Sequence, residues 1–149
     1  MFMIRIIENS TLKFAENLAK LEKTLFSTAW DRDTINDKIN RGEFLYWVYE
    51  QDDKIVGYLA IQKTLNDLHI LGIGVLKDYR NQSIARKLTE KLISYFEISQ
   101  FEKILLEVRE SNEPAMNLYQ SFGFKQYGVR KNYYVNEDAK LFQREKIYA

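Results

Sequence analysis

The residues best suited to chemistry lie in one segment, LEVRESNEPAMNLYQSFGF, which runs from Leu106 to Phe124. Its pattern predicts a buried strand that carries Glu107, a short connection, and a helix that carries Tyr119 and is stopped by Gly123. A carboxylate and a phenol at the ends of two neighbouring elements are groups that proton transfer at a concave site requires. Glu107 and Tyr119 are therefore the two candidate catalytic residues.

Glu107 has two interpretations from its place in the strand. Alternation puts it on one face together with Arg109, whereas Leu106 and Val108 point to the other face. If the face of Glu107 is buried, its pKa is expected to rise toward the operating pH, as suits a general base. The alternative is a structural ion pair with Arg109 or with a residue of a neighbouring helix.

Tyr119 also has two interpretations. The helical pattern predicts that it is rotated away from the apolar stripe of Ala115, Leu118 and Phe122, so that its hydroxyl points back toward the strand end. A phenol there can protonate a departing thiolate, because its reference pKa (~10) lies above that of a thiol (~8.5). The alternative is core packing with a satisfied hydroxyl, which is the ordinary role of a tyrosine in a chain that has 10 of them.

A second segment, GIGVLKDYRNQSIARKL from Gly72 to Leu88, predicts a strand that runs into a helix. The first turn of that helix offers free backbone N–H groups and the positive end of the helix dipole, which suit a pyrophosphate, and Arg80 adds positive charge. The residues of this turn are Asn81, Gln82, Ser83, Ile84, Ala85 and Arg86. An ordinary solvated helix start is the alternative.

The two glycines of this strand, Gly72 and Gly74, flank Ile73 and precede Val75. Glycine weakens a strand unless something has to come close to the backbone. One explanation is a ligand whose amide groups pair with the strand edge. A bulge or a closely packed helix are the structural alternatives.

Periodicity and turn residues give the element order β-α-α-β-β-β-α-β-α-β-β. Either Ser10 or Thr11 is predicted to cap the first helix and Asp31 the second, and Asp52 and Asp53 are predicted to form a hairpin turn. Antiparallel strands come first, and a βαβ crossover follows in the middle of the chain. The predicted fold class is mixed α/β, with one sheet between helices on both faces, in a single domain over residues 1–149.

Composition excludes several classes of protein. The chain has 149 residues, a net charge of +1, no cysteine and one histidine, His69. The charge argues against direct nucleic-acid binding, and the missing cysteine excludes disulfides and a cysteine-bound acyl intermediate. A single histidine excludes a histidine-rich metal site, so no metal is expected, and His69 is assigned a structural role. No apolar run approaches the ~20 residues of a membrane span and no signal peptide is recognisable, so we expect a cytoplasmic protein without a membrane partner.

These segments resemble a known family. The strand order and the Arg80-x-x-Ser83-x-Ala85 segment resemble the acetyl-CoA-binding signature of the GNAT acetyltransferase superfamily, over nearly the whole chain. Within it, LEVRESN, LYQSFGF and RKNYY (Arg130 to Tyr134) resemble the RimI-type ribosomal-protein alanine N-acetyltransferases. The resemblance implies a GNAT-like three-layer fold and acetyl-CoA as the acetyl donor. It also implies transfer to the N-terminal amino group of a ribosomal protein that begins with alanine, by a monomer or weak dimer.

The resemblance also implies roles for residues. Glu107 matches the proton acceptor and Tyr119 matches the proton donor. The coenzyme contacts that it implies are Ile73, Gly74 and Val75 for the pantetheine arm, Asn81, Gln82, Ser83, Ile84, Ala85 and Arg86 for the pyrophosphate, and Asn112 for a further contact. Three positions depart from the family pattern: Ser83 replaces a glycine, Gly72 replaces an asparagine, and Ala29 replaces the proline of a Pro-Trp pair.

Two other functions stay open at this point. The acceptor can instead be a small-molecule amine such as a polyamine or an aminoglycoside, although a polyamine site should be acidic and the acidic residues here are spread along the chain. Tyr133 and Tyr134 favour a peptide, because they can wall a groove for an extended chain. From a different class, the protein can be a non-catalytic acyl-CoA-binding module, against which the retention of both Glu107 and Tyr119 argues.

Overall fold

The computed structural model describes residues 1–26 and 30–147, and within them it contains one seven-stranded sheet and four α-helices. The helices are α1 Leu12–Leu25, α2 Arg32–Asn40, α3 Ile84–Ile98 and α4 Glu113–Ser121. The strands are β1 Phe2–Ile7, β2 Phe44–Gln51, β3 Lys54–Lys63, β4 Asp67–Val75, β5 Lys103–Arg109, β6 Lys125–Tyr134 and β7 Glu137–Glu145. The predicted element order is confirmed. In the described ranges, every helix is too short or too polar to extend through a lipid bilayer.

The ends of the elements follow local chemistry. Thr11 begins α1 because its hydroxyl accepts a backbone N–H of the first turn, and the carboxylate of Asp31 does the same for α2. Asp52 and Asp53 connect β2 to β3 with φ values of 55° and 59°, the positive pair that a two-residue hairpin turn needs. Short polar side chains tolerate this region better than others do, so these caps and turns were predictable from sequence.

The sheet lies between two layers of helices. Its strand order is β1-β2-β3-β4-β5-β7-β6, and α1 and α2 pack on one face while α3 packs on the other. Strand β2 shows why both faces are apolar: Tyr46 and Val48 lie in the core beneath α1 and α2, and Trp47 and Tyr49 lie in the core beneath α3. The predicted mixed sheet with helices on both faces is confirmed.

Strands β4 and β5 are the parallel pair of this sheet, and they are bonded along only part of their length. The paired residues are Asp67 with Lys103, Leu68 with Ile104, and His69 with Leu105. Beyond these pairs β4 continues to Val75 and β5 continues to Arg109 without pairing to each other. The two strands therefore diverge in the middle of the sheet, and a gap opens between them.

A bulge in β4 coincides with this separation. Ala60 of β3 pairs with Gly72 and the next residue, Ile61, pairs with Ile70, so Leu71 is an extra residue without a partner on β3. A bulge bends its strand and increases the local twist. Strand β4 therefore stays bonded to β3 while its other edge turns away from β5.

Gly74 is required by close packing. A Cβ atom at this position would lie 2.7 Å from Cδ1 of Leu25 on α1 and 3.0 Å from the ring of Tyr58 on β3. Gly72 lies beside the bulge, and a Cβ there would make ordinary contact with the Tyr58 hydroxyl at 3.5 Å. The structural alternatives for the two glycines, a closely packed helix and a bulge, are therefore both found.

Helix α1 buries one carboxyl group together with its apolar face. Glu22 is 5% exposed, next to the buried Ala15, Leu18 and Leu21, and Tyr46 Oη donates a hydrogen bond to its Oε2 at 3.0 Å. Burial raises the pKa of Glu22 to about 7, and the bond from Tyr46 offsets part of that rise. The apolar periodicity of α1 did not predict an acid on this face.

We expect Glu22 to make the folded state less stable as the pH rises. Its pKa is higher in the folded state than in the unfolded chain, so its contribution is greatest at low pH and is lost between about 4.5 and about 7. From about pH 5 to about pH 8, this group should lower the free energy of unfolding by up to about 2.5 kcal/mol. Urea unfolding of the wild type and Glu22→Gln measures the difference. Equal pH dependence in the two proteins would contradict the prediction.

Candidate active site

A cavity of about 290 Å³ occupies the gap between β4 and β5. Its walls come from α1, α4 and strands β3 to β6, together with Trp30 from the segment between α1 and α2. Glu107 of β5 and Tyr119 of α4 both line it. The structure therefore brings the two candidate catalytic residues to one concave site.

Glu107 is held between two basic side chains. Its Oε2 lies 2.5 Å from Nε2 of His69, and its Oε1 lies 4.0 Å from Nη1 of Arg130. Burial by itself raises the pKa of Glu107, but the hydrogen bond and charge of His69 and the charge of Arg130 outweigh it, so the pKa lies below its ordinary value. The expectation of a raised pKa was therefore wrong. Glu107 is ionised at neutral pH and can accept a proton.

His69, to which the sequence assigned a structural role, contacts the candidate base directly. In the parallel ladder His69 pairs with Leu105, and Glu107 follows two residues later on the same face of β5. Periodicity within each strand carries no signal for this contact. It depends on the register of two strands joined through α3, which only the folded sheet defines.

Arg109 does not form the ion pair with Glu107 that was the structural alternative. Its Nη1 donates to Oε1 of Glu137 at 3.1 Å, and its guanidinium lies 4.1 Å from the ring centroid of Tyr134. Arg109 therefore ties the end of β5 to the β6–β7 hairpin. Tyr134 is placed at the cavity wall by the same contact.

Tyr119 lies on the buried face of α4, whereas the sequence predicted that it is rotated away from that face. It is 4% exposed and packs in the core with Ala115 and Phe122, edge to face with Phe124 at 5.3 Å between centroids, whereas Leu118 is not part of that core. The predicted apolar stripe was therefore wrong by one position. The ring of Tyr119 packs in the core, and Tyr119 also lines the cavity, so both interpretations of this residue hold in part.

The hydroxyl of Tyr119 has no hydrogen-bond partner in the described part of the chain. Burial raises its pKa above the ordinary value of a phenol, and the neighbouring phenol of Tyr134 raises it further. The group is therefore protonated at every physiological pH. It can donate a proton but cannot act as a base.

A second cavity, of about 230 Å³, lies at the start of α3. The predicted coenzyme residues that line it are Val75, Asn81, Ser83, Ile84, Ala85 and Arg86. Ile73 and Asn112 line the first cavity instead, and Gly74 and Gln82 line neither. Strand β4 lines the first cavity with Ile70 to Ile73 and the second with Val75, so the predicted residues divide between two cavities. Ile84 is buried in the core, which leaves its backbone N–H as the group available to a ligand.

Ser83 has a backbone conformation that favours glycine. It has φ 61° and ψ 24°, the left-handed region, directly before α3, and its side chain makes no capping hydrogen bond. Asn81 also has a positive φ, 64°. Glycine adopts this conformation without strain, whereas serine does not.

Two of the predicted coenzyme residues form side-chain hydrogen bonds within the protein. Arg86 donates from Nη2 to the hydroxyl of Ser121 at 3.2 Å, so its guanidinium is directed toward α4. Asn112 accepts the N–H of Ala115 at 3.2 Å, so it caps α4 as well as lining the first cavity. Ala29 lies outside the described residues.

Comparison with known proteins agrees with this geometry. The ribosomal protein bS18-alanine N-acetyltransferase of Haemophilus ducreyi is 30% identical over 134 residues, which are 89% of this chain and 91% of that protein. The enzyme of the same name from Escherichia coli K12 is 32% identical over 121 residues, 80% of each chain. The crystal structure of the ribosomal-protein-S18-alanine N-acetyltransferase from Escherichia coli has a TM-score of 0.85 at 27% identity, covering 100% of this chain and 96% of that one.

Membership of a family follows from a match over most of the chain. The model described as the acetyltransferase (GNAT) family matches residues 13–124, which include α1 to α4 except for the first residue of α1, and β2 to β5. The predicted GNAT-like fold and the prediction of an acetyl-CoA-dependent N-acetyltransferase are both confirmed. This chain belongs to the GNAT family of acetyltransferases.

Proposed function

We propose that this enzyme acetylates the terminal α-amino group of a protein that begins with alanine, with a ribosomal protein as the acceptor. The observation that carries the proposal is the cavity between β4 and β5, which holds the ionised Glu107 and the protonated Tyr119 together. The relatives named for bS18-alanine acetylation support the choice of acceptor. In the cell we place the enzyme in the cytoplasm, as a monomer or weak dimer without nucleic-acid contacts.

Acetyl-CoA would bind across both cavities. Alternate backbone groups of Ile73, Gly74 and Val75 point away from β3, and with no β5 partner they are available to the amide groups of the pantetheine arm. The N–H groups at the start of α3, from Asn81 to Arg86, suit the pyrophosphate, since that helix end carries positive partial charge. The residues present therefore fit this coenzyme.

The chemistry would be a direct transfer, since the chain has no cysteine to carry an acyl group. The acceptor nitrogen attacks the thioester carbonyl, and Glu107 accepts its proton directly or through a water. His69 orients the carboxylate that does so. Backbone N–H groups on the open edge of β4 would stabilise the developing oxyanion, and Tyr119 would protonate the coenzyme thiolate as it leaves.

The charges at the cavity favour one amino group over a polycation. Glu107 is already paired with His69 and Arg130, and Arg109 is already paired with Glu137. A polyamine would need several unpaired carboxylates along its length. Tyr134 and Trp30 supply aromatic walls that suit the first residues of an extended peptide.

The acceptor is tested by a panel of peptides that differ in their first residue, incubated with acetyl-CoA beside spermidine. We expect acetylation of the alanine-first peptide at its α-amino group, because the cavity has too few carboxyl groups for a polycation. Mass spectrometry identifies the modified atom. Acetylation of spermidine and of no peptide would contradict the proposal and favour a small-molecule acceptor.

Tyr119→Phe should lower kcat by about 10²-fold to 10³-fold and leave the affinity for acetyl-CoA unchanged, because the phenol acts as an acid only when the thiolate leaves. Steady-state kinetics and calorimetry with the coenzyme separate the two effects. Tyr127→Phe is the matched control, since Tyr127 is half exposed and lines neither cavity. An unchanged kcat in Tyr119→Phe would remove this residue from the mechanism.

Ser83→Gly should leave the affinity for acetyl-CoA unchanged or make it tighter, because glycine relieves the left-handed strain and opens the backbone to phosphate. Ser83→Val, which places a branched side chain in the same conformation, should weaken binding. Calorimetry with acetyl-CoA measures both. A large loss of affinity in Ser83→Gly would mean that the serine hydroxyl itself donates to the phosphate.

A further inference from the structure

The charged groups that line the first cavity are compensated, with one exception. Glu107 has His69 and Arg130, and Arg109 has Glu137. Glu22 also lines this cavity, and it forms no ion pair with any Lys, Arg or His of the described residues. By sequence, residues 27–29, 148 and 149 include no Lys, Arg or His either. The cavity therefore contains one carboxyl group whose charge has no protein partner.

The geometry of Glu22 leaves one oxygen for a ligand. Its Oε2 accepts the hydroxyl of Tyr46 at 3.0 Å, which fixes the side chain although the residue is 95% buried. Its Oε1 has no hydrogen-bond partner within residues 1–26 and 30–147, and Glu22 lines the cavity, so Oε1 is the oxygen available to a molecule bound there. A buried acceptor is normally satisfied, so the missing donor is expected from a bound molecule.

The order of the proton transfers gives such a group a role. A terminal amine has a pKa of ~8, so at neutral pH most of the acceptor arrives as ammonium. Formation of the amide joins nitrogen to the acetyl carbon, breaks the carbon–sulfur bond, and removes two protons from that nitrogen. Glu107 takes one of them as the carbon–nitrogen bond forms. Tyr119 protonates the thiolate, and its phenolate can take up the other proton only after the carbon–sulfur bond breaks. The first proton leaves before the attack, so it needs a separate acceptor at that stage.

We propose that Glu22 is a further catalytic residue, whose free oxygen binds the ammonium group of the acceptor and takes its first proton before the attack. The proposal rests on the proposed function. It adds that the acceptor enters the site as ammonium. Glu22 carboxylate becomes the carboxylic acid and the ammonium becomes the neutral amine. Glu107 then accepts the second proton as the carbon–nitrogen bond forms.

The acidity of Glu22 suits this transfer. Burial raises its pKa to about 7, so a proton moving from an amine of pKa ~8 faces an equilibrium that is unfavourable by only about tenfold. For a carboxyl group at the reference pKa of ~4.3, the same proton transfer would be unfavourable by more than about a thousandfold. The inward residues of α2, Ile35 and Ile39, are apolar. The titratable or charged groups on the other elements around Glu22 are Tyr46, Tyr58, His69, Glu107, Arg109, Tyr119 and Tyr134.

The test is the pH profile of kcat/KM for the alanine-first peptide with Glu22→Gln. The variant can use only the neutral amine, which is about a tenth of the total at pH 7, whereas about half of wild-type Glu22 is ionised there. We therefore expect about a fivefold loss at pH 7 and convergence with the wild type above about pH 9. Glutamine keeps the size of the side chain and the bond from Tyr46. Glu16→Gln, on the same helix but outside this cavity, should follow the wild type.

Tyr46→Phe provides a second variant that keeps the carboxyl group. The hydrogen bond from Tyr46 lowers the pKa of Glu22, so its removal should move the acidic limb of kcat/KM to higher pH. Calorimetry with acetyl-CoA should show unchanged coenzyme affinity in Glu22→Gln and Tyr46→Phe. If the acidic limb of kcat/KM does not move in Tyr46→Phe, the catalytic role of Glu22 is contradicted. This result is decisive even if Glu22→Gln does not fold.

The outcomes separate this inference from the proposed function. If the wild type acetylates the peptide and the Glu22→Gln profile runs parallel to it at every pH, the role of Glu22 is overturned and the function stands. If the wild type acetylates no amine at all, the proposed function fails and the inference fails with it.

Discussion

The ladder between the parallel strands β4 and β5 stops at His69 and Leu105, although both strands continue. Buried backbone groups left unpaired cost about 1–3 kcal/mol each, so such a gap persists only where the surrounding structure enforces it. The bulge at Leu71 supplies that constraint, because it turns one edge of β4 away while the other edge stays bonded to β3. Helix α1 packs against the same stretch at Gly74. The cavity, the open strand edge and the access to Glu107 all depend on this separation.

Two carboxyl groups line this one cavity, and their surroundings shift their pKa values in opposite directions. Both lose water on burial, which favours the neutral form. For Glu107 the contact with His69 and the charge of Arg130 outweigh that loss, whereas Glu22 has only the hydroxyl of Tyr46 to oppose it. Partner charge and depth of burial together therefore decide the ionisation of each acid. A site with two acids of different strength can take up protons in sequence.

The elements of this fold were predictable because their signals are local. Caps, turn residues and apolar periods act within a few residues, and they gave the correct order of helices and strands. The candidate site was predictable in part for the same reason. Glu107 and Tyr119 are both at the cavity, while two predictions that depended on surroundings were wrong: the raised pKa of Glu107 and the orientation of Tyr119. The contact of His69 with Glu107 was not predicted.

The sequence by itself therefore determined the family, the chemical groups and the elements that carry them, since residue type and short-range spacing define these. Tertiary structure decided which groups meet. The register of β4 on β5 places His69 against Glu107, and the packing of α1 on the sheet brings Glu22 to the same cavity. These contacts join residues far apart in the chain, and their electrostatic consequences depend on distance and burial. Neither quantity is encoded in the local pattern of any one segment.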